Sequence, residues 1–202
     1  MTTRPPSPRK EELLERAYQY ALEHGLADMS LRPLAAAIGS SPRVLLFLFG
    51  SKDGLVSELL ARARSDELAF LAEATAGGPA DLAAAVDATW RWLAADQVRP
   101  LLTLWTEAYA RSLAEPEGPW SGFAVRSVAD WLDVLRLAPR TSPEPESDRS
   151  AETGRTLALA VLRGCLLDLL ATGDAERVGR AVASYAGLIG GDHPGRSVEP
   201  DE

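Results

Sequence analysis

Glycine and proline divide this chain into segments of helical length, and inside those segments the apolar residues recur three and four positions apart. From Arg9 to His24 the repeat is Leu13, Leu14, Ala17, Tyr20 and Ala21, one face of a helix, and Gly25 supplies its stop. Leu31, Leu34, Ala35 and Ile38 form the inner face of a short second segment, with Ser30 as its cap and Gly39 as its end. Ser41 and Pro42 open a third segment to about Phe49, because proline suits the first helical turn. Ser51 caps a fourth to about Ala76, striped by Leu55, Leu59, Leu60 and Ala63. Beyond the break at Gly77-Gly78-Pro79, helices are predicted over about Pro79–Ala95, from Pro100 to before Pro116, and over Trp120–Ala138, Arg149–Thr172 and Asp174–Ile189. No run alternates with period two between hairpin turns. The expected fold is all-α, with about nine helices, a Pro/Ser arm over the first eight residues, a mobile loop over Pro139–Asp148 and a frayed polar tail from Gly190.

With 202 residues, 46% of them apolar, the chain suffices for one ordinary domain, or for a small domain joined to a larger one. A single cysteine, Cys165, and two histidines, His24 and His193, exclude a disulfide framework and a Cys- or His-rich metal centre. Cys165 stands in an apolar run and reads as a buried, inert thiol. No Ser/His/Asp set and no lysine-bearing glycine loop is present, so neither an enzyme nor a cofactor is expected. No apolar stretch approaches 18 residues, and the opening MTTRPPSPRK lacks the apolar centre of a signal peptide; the expectation is a cytoplasmic protein with no membrane partner.

The net charge of −8 argues against nucleic-acid binding, but the charge is uneven. Residues 1–64 carry nine basic side chains against seven acidic ones, leaving the remainder strongly acidic. A mildly basic head before an acidic body suits a small DNA-binding domain attached to a sensing domain. The stretch Ser30–Phe49 is consistent with this. Two short helices flank a tight turn at Gly39-Ser40, which exposes the second helix to a major groove. Ala35, Ala36 and Ala37 permit close helix packing. The candidate DNA contacts are Ser30, Arg32, Ser41, Pro42, Arg43, Val44, Phe47 and Lys52. Arg43 can fork to guanine, Val44 can touch a thymine methyl, and Lys52 can meet a phosphate.

Residues 9–60 resemble the N-terminal DNA-binding domain of the tetracycline-repressor (TetR) family. The resemblance is carried by the helix ending His24-Gly25, by Met29-Ser30-Leu31, by Leu34-Ala35-Ala36-Ala37-Ile38-Gly39, by Ser41-Pro42, and by Phe49-Gly50-Ser51-Lys52-Asp53-Gly54-Leu55. It implies a helix-turn-helix domain over residues 1–53 and an effector-binding and dimerisation domain over 54–202, with the fourth helix bridging them. It also implies a ligand-responsive regulator, most often a repressor, that binds a palindromic double-stranded operator as a homodimer. One departure bears on the mechanism. The Tyr and His that the family commonly carries near the end of the recognition helix are Leu46 and Leu48 here, which removes two phosphate partners. Either the contact leans on Phe47 and apolar touches to thymine methyls, or the grip on DNA is weak and the chain is a ligand-binding or protein-interaction dimer.

All five tryptophans fall between positions 90 and 131. Trp90, Thr103, Trp105, Glu107, Tyr109, Phe123 and Trp131 are candidate walls of an apolar or aromatic effector cavity, and a packed aromatic core is the plainer alternative. Trp90 and Trp92 face opposite ways on a helix, so one of the two packs elsewhere. In the last two segments the apolar band, Leu157 through Ile189, is wider than one packing face needs, and a four-helix dimer interface would bury the surplus. Gly164, Ala181, Ala183 and Gly187 would let those helices approach closely.

Overall fold

The computed structural model describes residues 7–26, 29–115, 117–136 and 148–191, and these form helices joined by turns, with no strand among them. The helices are α1 (Pro8–His24), α2 (Leu31–Ala37), α3 (Pro42–Phe49), α4 (Lys52–Thr75), α5 (Leu82–Leu93), α6 (Arg99–Ala114), α7 (Phe123–Arg136), α8 (Asp148–Thr172) and α9 (Ala175–Gly190). The all-α expectation is met. Residues 1–6 of the expected arm, the expected loop as far as residue 147, and the tail from residue 192 lie outside the described residues. No single described helix is long and apolar enough to cross a membrane.

Several local expectations are corrected. Ser7, expected in an arm, caps α1 by accepting the Lys10 amide. Ser30 precedes α2 in extended conformation, but its side chain makes no capping bond. Asp81 caps α5, so that helix starts later than Pro79 suggested. Trp120 lies in a turn before α7, and a 3-10 turn at Asp96–Val98 leads directly into α6. In α1 Tyr18 is buried with Leu13, Ala17 and Ala21, whereas Tyr20 is only half-buried. Of the three successive alanines in α2, Ala35 alone is buried.

The chain forms two compact units, residues 1–69 with 97–128, and residues 70–96 with 129–202. In the first, α1 packs against α2 and α6, and α2 against α3. Lys10 of α1 bonds Glu58 of α4 at 2.6 Å and lies over the Phe49 ring. Arg62 of α4 bonds Glu15 at 3.1 Å and Asp66, and covers the Tyr18 ring. Burial, reinforced by the neighbouring Asp66 carboxylate, pushes the Tyr18 hydroxyl well above its ordinary value of 10.0. Raising the folded pKa means that the contribution of Tyr18 is complete below pH 10 and is lost as pH rises beyond it. Thermal melts should therefore fall off above pH 10, and Tyr18→Phe should flatten that alkaline limb.

Gly54 fixes the junction of α3 and α4. Its amide donates to the Ser51 hydroxyl at 2.9 Å, and a Cβ added there would stand 2.2 Å from the Phe49 carbonyl oxygen. Alanine in a helix is ordinarily favoured over glycine by about 1 kcal/mol. Here the backbone collision dominates, because a carbonyl cannot rotate away as a side chain does. Gly54→Ala is expected to destabilise the chain by about 1–3 kcal/mol, read from urea unfolding.

In the second unit α5, α8 and α9 pack pairwise. The close approaches are made at Gly179, where a Cβ would lie 3.5 Å from the Trp90 indole nitrogen, and at Gly190, 3.3 Å from Ala83. Gly164 and Gly187, expected to admit a neighbouring helix, have open space at the Cβ position, and Ala181 and Ala183 are exposed. Cys165 is half-buried, not buried as expected; burial, aided by the charge of Asp168, pushes its thiol up. That protonated state is the unreactive one.

Candidate nucleic-acid interface

α2 and α3 diverge by 102° across the turn Ile38–Ser41. The turn is held from both sides. Gly39 takes φ +68, a left-handed conformation that glycine adopts without strain, and the Ser40 amide returns to the Ala35 carbonyl at 2.8 Å. Arg16 of α1 donates to the Ile38 carbonyl at 3.2 Å, satisfying an acceptor that the end of α2 leaves over. The Ser41 hydroxyl then caps α3 by accepting the Val44 amide at 3.3 Å.

This arrangement decides which side of α3 is free. Leu45 and Phe49, four residues apart, are buried. Arg43, Val44, Leu46 and Phe47 are exposed on the remaining surface, and Phe47 is 86% exposed. Of the candidate contacts, Ser30, Arg32, Ser41, Arg43, Val44, Phe47 and Lys52 are all exposed, and Pro42 is half-buried. Arg32, Arg43 and Lys52 stand within the first two residues of α2, α3 and α4, and none forms an ion pair among the described residues. Lys10 and Arg16, by contrast, are paired with Glu58 and Glu12. Three unpaired cations on a head with an apolar helix face between its capped ends suit a polyanion offering groove and phosphate together.

The candidate effector residues do not fall together in one unit. Trp90 and Trp131 belong to the second unit, and Thr103, Trp105, Glu107, Tyr109 and Phe123 to the first. Trp105 is buried, donates to the Ser127 hydroxyl at 2.8 Å and stacks on Tyr109 at 5.0 Å. Thr103 is exposed and bonds back to the Arg99 carbonyl. One Glu107 oxygen accepts the Leu26 amide at 2.9 Å, joining α6 to the end of α1, and its other oxygen is buried with no hydrogen-bond partner among the described residues. Phe123 lines a cavity of about 250 Å³ beside α4, with Ser57, Leu60, Arg64, Ser121 and Arg126. In the second unit Trp92 stacks with Phe70, 6.3 Å between ring centroids, and meets Trp131 at 6.2 Å with the rings tilted by 54°. Among the described residues, the buried Trp92 indole N–H and Thr89 hydroxyl have no hydrogen-bond partner. Trp92, Thr89 and Phe70 were not among the expected residues. Opposite facing on the helix left open which of Trp90 and Trp92 would pack inward, and Trp90 is the one that meets α9.

No family model and no curated protein matches this sequence. Solved structures match its fold. A TetR transcription regulator from Haloarcula marismortui ATCC 43049 is 18% identical, with a TM-score of 0.63 over 90% of this chain and 97% of that one. SmeT, the repressor of the Stenotrophomonas maltophilia multidrug efflux pump SmeDEF, is 20% identical, with a TM-score of 0.61 over 96% and 97%. The multidrug binding protein EbrR, complexed with proflavin, is 24% identical, with a TM-score of 0.60 over 88% and 99%.

Proposed function

We propose, on the premise that the chain has the fold of TetR-family transcriptional regulators, that it is a homodimeric regulator that binds operator DNA and is released from it by a small aromatic effector. The observation that carries this reading is the exposed face of α3, set at 102° to α2 and accompanied by the unpaired Arg32, Arg43 and Lys52. Dimerisation is supported by the uncovered side of α8, where Leu157, Ala160, Gly164, Leu167 and Ala171 recur at three- and four-residue spacing and are all exposed. Leu188 and Ile189 of α9 extend the apolar surface. Two copies joined there would carry two α3 helices in one particle, as a site with twofold-related halves requires.

The effector reading draws on two observations. SmeT is the repressor of a multidrug efflux pump, and EbrR holds proflavin, a planar aromatic. In this chain the rings of Phe70 and Trp131 lie against Trp92, whose indole N–H, like the hydroxyl of Thr89 three residues before it on α5, has no partner among the described residues; such groups suit a flat ligand carrying a hydrogen-bonding edge. α4 runs through both compact units and is the element through which ligand binding would reach the head. The ligand acts by preferring one of two dimer shapes, the DNA by preferring the other.

Selection from a random-sequence duplex library tests the reading. The expected product is a site with twofold-related halves carrying two protomers in sedimentation, and proflavin serves as the probe for release and for quenching of tryptophan fluorescence. A library that gains no preferred sequence contradicts it. The apolar face of α3 also favours a second reading, a protein-interaction dimer, which the same selection would leave without an enriched site.

A further inference from the structure

We propose that α3 reads its operator through the 5-methyl groups of thymine as well as through Arg43, with Phe47 as the methyl-contacting side chain; this rests on the DNA-binding reading above and specifies its chemistry. Val44 and Phe47 are one turn apart on the free side of α3, 38% and 86% exposed, and Leu46 beside them is 43% exposed. The hydroxyl of Ser41 is engaged in capping. That bond leaves the Ser41 O–H free to donate, but within α3 itself Arg43 is the one side chain able to form hydrogen bonds with base edges. A face this apolar needs an apolar counterpart, while Arg32, Arg43 and Lys52 around it need an anionic one. An apolar protein groove would leave three cations uncompensated. The major groove answers both requirements, because the thymine methyl is its apolar feature and phosphates border it.

Burying one methyl group is worth a factor of about four in affinity, so one contact in each of two half-sites gives about fifteenfold. The test uses two parallel selections with the wild-type chain, from random-sequence duplex libraries copied with thymidine or with deoxyuridine triphosphate, which differ only in that methyl. The site enriched from the thymine library is expected to lose about fifteenfold in affinity when recopied with uracil. Phe47→Ala should bind the thymine duplex more weakly by a similar factor and no longer distinguish it from the uracil copy, since the two changes remove the same contact. Phe47 is exposed, so an unchanged thermal melt will verify that the variant is folded. Equal wild-type affinities for the two copies overturn this inference and leave the DNA-binding reading standing. Absence of enrichment in both libraries overturns both, and if Phe47→Ala then also abolishes self-association, the patch belongs to a second copy of the chain.

Discussion

A chain carrying Leu157→Glu and Leu167→Glu is expected to sediment as a monomer and to bind its selected duplex at least a hundredfold more weakly than the wild type. Both leucines are more than half exposed in the single subunit, and both lie on the α8 stripe with Ala160, Gly164 and Ala171. In a twofold interface each patch meets its own copy, so every added carboxylate is introduced twice and the charges face one another. The intrasubunit packing is spared, because the buried side of α8 is formed by Ala158, Leu159, Leu162, Leu166 and Leu169. The loss in DNA affinity follows from separating two half-site readers. Linked readers gain a factor of about 10²–10⁴ from effective concentration, and that factor disappears with the link. Circular dichroism should retain its helical signal, and a dimer that survives both substitutions would place the interface elsewhere.

The second large effect separates base reading from phosphate binding. Arg43→Ala should weaken binding to the selected duplex by about ten- to a hundredfold while changing binding to a scrambled duplex little, as expected for a guanidinium that forks to a guanine edge. Lys52→Ala should weaken both duplexes alike. It removes two phosphate contacts per dimer, so the slope of log affinity against log salt should shrink by about two. Both side chains are exposed and without ion pairs among the described residues, so neither substitution leaves a buried charge behind. Equal effects of the two variants on selected and scrambled DNA would deny Arg43 a part in base reading.

The head was legible because its turns are set by local chemistry. Gly39 marks a stop, Ser41 and Ser51 mark caps and Pro42 a first helical position, and the structure uses each of them in that way, whereas the crowding at Gly54 shows only in the structure. Ser30 was misjudged because composition shows that a side chain can cap, not that it turns toward the amides. The exposure of Phe47 follows from Leu45 and Phe49 occupying the inner side of an eight-residue helix. The aromatic set beyond the head was less legible. Trp90 and Trp92 are both plausible on either face of α5, and only packing against Gly179 decides between them. Glu107 resembled a ligand-orienting carboxylate, yet one of its oxygens is engaged by the Leu26 amide, a contact across 81 positions that no local pattern encodes.

The most direct test of the central claim is a fluorescence anisotropy titration of the selected duplex and its scrambled counterpart with the wild-type protein between about 50 and 200 mM potassium chloride, the range over which phosphate contacts are sensitive. Arg32 and Lys52 from two subunits, as phosphate contacts, predict a log–log slope of about −4, and Arg43 and Phe47 a preference for the selected sequence of about a thousandfold or more. Equal affinities for the two duplexes, or binding that ignores salt, would contradict the account.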